Sequence, residues 1–252
     1  MEILKATRNV FAFLTILPVG MDRDGLTLAA DYMPIFPIIG AFIGLVAGVL
    51  VWFLDLVLPS LLLGTIGLGV ILLMNGAQHI DGLLDFGDGI MCHGSRARKL
   101  KVMRDPQTGA GGFTFGWFTL SATVFAIASL TRGVLIQALV VSEAAGAFSM
   151  VFQAWAGHPA HKGMGSGFVA AMHSRWRNLR VVSSLLILIL IAFPTLFTLG
   201  LAVTCAAVIV PSIILHVSNK AFGGVTGDVM GATHELTRLV ALVVILVGFG
   251  WL

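Results

Sequence analysis

Pro34-Ile35-Phe36-Pro37-Ile38-Ile39-Gly40-Ala41-Phe42-Ile43-Gly44-Leu45-Val46-Ala47-Gly48-Val49-Leu50-Val51-Trp52-Phe53-Leu54 carries no charged side chain. An apolar run of about 18 residues or more can cross the hydrocarbon core of a bilayer as one helix. This run opens a first span over about 34–58. Its Gly40, Gly44 and Gly48 recur at every fourth residue, the small-residue spacing that lets membrane helices approach closely. Working outward, further apolar runs cover about 60–80, 113–130, 134–156, 181–199 and 201–217, and a last one ends at Leu252. The expected fold is all-α, a polytopic transmembrane helical bundle of about seven spans, within six to eight.

Composition agrees. The 252 residues are 58% hydrophobic and only 11% charged, with a mean hydropathy of +0.99. A soluble domain carries about 25% charged residues. We read residues 1–252 as a single integral-membrane domain. Glu2, Lys5 and Arg8 precede a short apolar stretch ending at Pro18, which is not a cleavable signal peptide. Residues 1–20 read as an amphipathic helix lying at the membrane surface, in contact with lipid. Cys92 and Cys205 are far apart and read as free thiols. A net charge of +3 is too small for a nucleic-acid footprint.

Between the spans lie three polar segments, 81–112, 157–180 and 218–238. With the N-terminus in the cytoplasm all three fall on the cytoplasmic side, and of the 15 Lys and Arg only Arg132 falls outside. The expected location is a cell membrane, multi-pass, with cytoplasmic loops that can meet in one site. A transport path would show polar groups on both faces.

The second span runs into Gln78-His79-Ile80-Asp81-Gly82-Leu83-Leu84-Asp85-Phe86-Gly87-Asp88-Gly89, which holds three carboxylates and no Lys or Arg. On a helix Asp81, Asp85 and Asp88 share an arc of roughly 60°. Clustered anions repel, and a hard divalent cation with oxygen ligands compensates them best. Gly82, Gly87 and Gly89 leave room for a bulky substrate to approach the backbone. A solvated acidic helix end and a lone structural ion site are the plainer readings. His79 is expected to orient a carboxylate or touch substrate.

Cations follow: Arg96, Arg98, Lys99, Lys101 and Arg104 precede Asp105. Three anions followed by this basic run suit a metal-bridged phosphate whose other oxygens are held by Arg or Lys. Juxtamembrane charge for topology or anionic lipid explains any single cation equally well. Gly109-Ala110-Gly111-Gly112 could cradle phosphate oxygens with its amides. The third segment reads Gly223-Gly224-Val225-Thr226-Gly227-Asp228-Val229-Met230-Gly231-Ala232-Thr233-His234-Glu235. Asp228 is a further metal ligand or a base, and Glu235 a substrate contact or a helix-end polar residue. Gly163–Phe168 is a substrate-contacting loop or a hinge. Glu143, mid-span, is expensive in lipid and should pair inside the bundle.

Taken in order, several of these stretches resemble the cobalamin synthase family, the adenosylcobinamide-GDP ribazoletransferases. They are Phe13-Leu14-Thr15-Ile16-Leu17-Pro18, Phe36-Pro37-Ile38-Ile39-Gly40, His79-Ile80-Asp81-Gly82-Leu83-Leu84-Asp85 through Asp88-Gly89, Met103-Arg104-Asp105 through Gly111-Gly112, and Gly224-Val225-Thr226-Gly227-Asp228 through Glu235-Leu236. They cover nearly the whole chain, while the middle spans and 157–180 match loosely. Glu143 stands where bacterial members carry arginine, which points to an archaeal-type member. The resemblance implies an enzyme that joins adenosylcobinamide-GDP to α-ribazole or its 5′-phosphate, releasing GMP, with Mg²⁺ as cofactor. It implies catalytic roles for Asp81, Asp85, Asp105 and Asp228, metal ligation by Asp81, Asp85, Asp88 and Asp228, and substrate contacts from His79, Arg98, Lys101, Arg104, Thr226 and Glu235. A homodimer is left open. The CDP-alcohol phosphotransferases are the second reading, but their Asp-Gly-x-x-Ala-Arg spacing is missing after Asp81-Gly82. A small transporter is the third.

Overall fold

The structure, a computed structural model, describes residues 2–250. They form helices from α1 (Glu2–Leu14) to α12 (Gly227–Gly250), with one isolated bridge between Pro159 and Val225. Long apolar helices cross the bundle: α3 (Phe36–Leu54), led by a 3₁₀ turn at Met33–Ile35, α7 (Ala110–Ala128), α8 (Leu135–Ala156), α10 (Arg177–Leu196), α11 (Thr198–Ala221) and α12. Together these are six candidate spans, or seven if the broken pair α4 (Ser60–Met74) with α5 (Gln78–Met91) counts as one. The protein is a multi-pass helical membrane protein.

The expected second span does not run straight into the aspartates. α4 and α5 meet at 98°. Gly76 and Ala77 have φ of 63° and 57°, and two successive left-handed residues stop one helix and redirect the next. Glycine takes that conformation freely, while alanine does so at a cost of about 1–3 kcal/mol. The 15 residues of α4 reach only about 22 Å, less than a hydrocarbon core of about 30 Å. The aspartate helix is therefore a separate element with its own direction.

Helix α8 sits at the centre, with every residue from Val141 to Val151 buried. A helix apolar on all sides belongs inside. α3 packs along it, and the glycine ladder works as the spacing implies. A Cβ at Gly40 would come within 2.5 Å of the Glu143 carbonyl, and one at Gly44 or Gly48 would meet the backbone of Leu139 or Ile136.

The polar segments gather at one end, as expected. Arg96 Nε donates to the Lys220 carbonyl at 3.2 Å, His158 Nε2 lies 3.0 Å from the Gly223 carbonyl, and the Ala160 amide donates to Val225 at 3.0 Å. Arg132 is at the far end, 3.6 Å from Asp55. These segments are not loops, however. They contain α5, α6 (Arg96–Val102), α9 (Met164–Met172) and the first turns of α12. α1 and the short α2 (Gly25–Asp31) lie over this end. Asn9 and Arg8 donate to Asp22 at 2.8 Å and 2.5 Å, tying the connection back. Those bonds, Asn9's first, hold the Asp22 carboxyl below its ordinary value.

Candidate active site

Two glycines set the site. α5 crosses α12 where Gly82 faces Asp228 and Gly231 faces His79. A Cβ at Gly82 would lie 2.8 Å from Asp228 Cα, and one at Gly231 would lie 3.2 Å from His79 Cα. Helices this close bring Asp81 and Asp85 of α5 against Asp228 of α12. Asp228, Asp81 and Asp88 all lie near enough to act on the charge of Asp85. The glycines expected to admit substrate are thus packing positions. Gly87 is closed by Phe115 and Gly112, and Gly89 by Met103 and Phe222.

At the start of α12, Thr226 Oγ1 accepts the Val229 amide at 3.2 Å, a helix N-cap. The same hydroxyl donates to Asp228 Oδ2 at 3.2 Å. Thr226 therefore ends a helix and aims a carboxylate. Arg104 and His161 lie within range of the Asp228 charge. Among the described residues Asp81, Asp85 and Asp228 form no ion pair. Their oxygens suit a hard divalent cation in type, while the ligand atoms that lie within 4.8 Å of one another among the described residues are those of His79, His234 and Glu235.

Asp88 departs from the expected metal stripe. Its Oδ2 accepts from the Gly109 amide and its Oδ1 from the Gly112 amide, both at 2.7 Å. The carboxylate caps α7, where unpaired amides and the helix dipole favour an anion. This takes two of the amides that a phosphate cradle would have used.

The basic run divides by task. Lys99 Nζ donates to the carbonyls of Gly89 and Ile90, each at 3.2 Å, and to that of Cys92. It closes the C-terminus of α5, a structural role that spacing did not reveal. Lys101, Arg104 and Asp105 line an open hollow of about 530 Å³ with Ala97, Leu100 and Pro106. Arg98, expected beside them, lies outside that hollow, its chain against Gly94. Asp105 is exposed and accepts the Gln107 amide at 3.1 Å.

Beside the acids is a cavity of about 540 Å³, reached by Asp81, Asp228, His79 and Thr226. The expected Gly163–Phe168 loop is the first turn of α9 and lines it. Beneath His79 is a buried polar cluster. The rings of His79 and His234 stack at 4.1 Å. Glu143 meets Arg238 at 3.3 Å, as its mid-span position required. Glu235, expected among the substrate contacts, is instead fully buried against Arg238 and does not line the cavity. Arg238 and His234 were missed. Arg238 looks like loop charge until α12 is known to begin at Gly227, and the i,i+3 spacing of Glu235 and Arg238 was the available signal.

A family profile described as cobalamin-5-phosphate synthase matches residues 6–246. Proteins named adenosylcobinamide-GDP ribazoletransferase are similar along their whole length. That of Methanococcoides burtonii is 30% identical, covering 97% of this chain and 92% of its own. That of Methanocella arvoryzae is 33% identical, covering 96% and 95%, and that of Thermococcus kodakarensis 31%, covering 94% and 96%. No solved structure matches the chain. With its crossing helices, its acidic site and this profile over nearly all its residues, the chain belongs to the cobalamin-5-phosphate synthase family, transferases of the last joining step in cobamide biosynthesis.

Proposed function

We propose that the protein transfers the adenosylcobinamide phosphate group of adenosylcobinamide-GDP to α-ribazole or its 5′-phosphate, giving adenosylcobalamin or its 5′-phosphate and GMP. The names of the relatives support the substrates. The observation that carries the reading here is the meeting of Asp81, Asp85 and Asp228 across the Gly82 crossing. These three would hold Mg²⁺, which when bound neutralises charge on the two donor phosphates and on the departing GMP oxygen.

The remaining steps fall to the chain itself. The ribazole 3′-hydroxyl attacks the phosphorus attached to cobinamide. The P–O bond to GMP breaks, and GMP leaves with the bonding pair. Lys101 and Arg104, at the open hollow, hold the phosphate oxygens. A carboxylate not engaged with the cation takes the hydroxyl proton: Asp228 where Asp81 and Asp85 suffice as ligands, otherwise Asp105 at the hollow. Such a base contributes roughly 10²–10⁴ in rate. We assign the site to the cytoplasmic face of the cell membrane, where the Lys and Arg bias puts this end of the bundle.

The test is isotopic. Purified protein in detergent receives Mg²⁺, α-ribazole and donor labelled at the phosphorus next to cobinamide. All label should appear in the cobamide and the released GMP should carry none. Label in pyrophosphate or in intact GDP would reject the reaction.

A further inference from the structure

The cavity beside the acids differs in character from the basic hollow. Its lining is mostly apolar, with Phe13, Phe36 and Phe168 among methionines that include Met33 and Met150. The Phe13 and Phe168 rings lie 4.8 Å apart at 32°, and Phe36 meets Phe168 edge-on at 6.2 Å. The rings pack on one another and Phe36 and Phe168 are nearly buried, so a flat aromatic ring would lie against the open edge of this group, with thioether chains adjusting around its outline. The same cavity includes Asp81 and Asp228, so a ligand with an apolar ring and a hydroxyl-bearing sugar can fill it while its hydroxyl reaches the carboxylates.

Lining, more than size, decides between the two substrates, since the two hollows are about 540 Å³ and 530 Å³. A half-open cleft of about 540 Å³ holds a ligand of drug or nucleoside size. A corrin carrying an adenosyl group and a guanosine diphosphate is several times larger and must remain on the open surface. The hollow of Lys101 and Arg104 lies on that open surface and carries the cations its phosphates need. An acyl chain would suit the phenylalanines but offers no polar group to Asp81 and Asp228 of the same lining.

We propose that this cavity seats the aromatic base of the acceptor nucleoside, with Phe13 and Phe168 packing the ring and Asp81 and Asp228 at the end where its ribose reacts. This rests on the reaction proposed above. It further assigns base recognition to α1 and α9, which lie outside the crossing helices, because they supply Phe13 and Phe168. The donor then meets the acceptor at the acids from the open side, and the two substrates need not displace each other.

The experiment separates binding from turnover. Equilibrium dialysis measures α-ribazole, and separately its 5′-phosphate, on purified protein in detergent without donor or metal. Initial rates then give KM for each substrate. The wild type should bind the nucleoside alone. Phe168→Ala should weaken that binding and raise the acceptor KM about tenfold or more, the loss expected for an aromatic platform, with the donor KM unchanged. Phe168→Leu, which keeps apolar volume, should retain the fold and recover part of the affinity. Ala12→Trp fills the space from α1 and should abolish binding even if Phe168→Ala fails to fold. Acceptor affinity indifferent to Phe168→Leu and Ala12→Trp, a rise in the donor KM instead, or nucleoside binding removed by added phospholipid with KM unaffected would overturn the assignment. Nucleoside binding without any GMP release would reject the reaction and leave the cavity assignment standing. GMP release indifferent to the cavity variants would do the reverse.

Discussion

Arg238 of α12 lies 3.3 Å from Glu143 of α8, and neither side chain reaches solvent. Arg238 also meets Glu235 one turn earlier. His234 stands between the two carboxylates, Nε2 at 3.6 Å from Glu143 and Nδ1 at 3.7 Å from Glu235. The cluster joins the central helix to the helix bearing Asp228. Removing the guanidinium strands two carboxylates in the bundle, at a cost of about 3–5 kcal/mol. Arg238→Leu should therefore unfold at a clearly lower temperature in detergent, and Glu143→Gln, which keeps an oxygen acceptor, should fall less. An unchanged unfolding midpoint for Arg238→Leu would remove the cluster from the stability of the fold.

Asp81 and Asp88 should respond differently to one substitution. Asn keeps shape and one oxygen but loses the charge that holds a divalent cation. Asp81→Asn and Asp85→Asn should abolish GMP release while leaving folding and membrane insertion unchanged. In Asp88→Asn an amide NH₂ faces a backbone N–H at the start of α7, and the lost cap should lower stability by about 1–2 kcal/mol while turnover persists. EDTA should stop the wild type and added Mg²⁺ should restore it. Full activity of both Asp81→Asn and Asp85→Asn, or activity indifferent to EDTA, would sink the metal assignment.

The crossing at Gly82 can be tested on its own. A methyl group there meets the Asp228 backbone at 2.8 Å, so α5 must move away from α12. A shift of about 1 Å at reacting groups costs on the order of 100-fold in rate. Gly82→Ala should lose turnover on that scale. Gly69→Ala is the control, since a Cβ there meets nothing within 4 Å. Equal rates for the two variants would mean that the close approach does not set the site.

Sidedness follows from where the cations gather. In a background lacking Cys92 and Cys205, single cysteines replacing Arg96, Lys162 and Lys220 should be labelled by an impermeant thiol reagent only from the cytoplasmic side of oriented vesicles. Labelling of any one from the other side would break the single-face site.

The spans were legible because an uncharged run has one low-energy fate in lipid. Gly40, Gly44 and Gly48 gave their helix contact directly, since the interval of four is a surface ridge of α3 and α8 fills it. The 98° turn was not legible. Asn75-Gly76-Ala77-Gln78 lies within a mostly apolar stretch, and hydropathy does not register a change of direction. Helical spacing put Asp81, Asp85 and Asp88 on one stripe but did not say which neighbour would claim Asp88. That depended on α7 starting at Ala110, within hydrogen-bond reach. Lys99 and Arg238 were hidden in the same way, as charges with a plain explanation until their partners came near.

By itself the sequence determined a helical membrane protein, the end of the bundle that gathers its polar residues, and the acidic stripe on which the proposed site rests. Those follow from local properties, namely apolar length, charge and helical period. The tertiary structure alone decided that α5 turns and crosses α12, that Asp228 joins Asp81 and Asp85 while Asp88 caps α7, and that Glu143 meets Arg238. It also decided that α1 and α9 enclose an apolar cavity beside the acids. Each is a contact between residues far apart in the chain. Such contacts depend on how closely two backbones can approach, and the glycines at 82 and 231 set that distance only once the helices are packed.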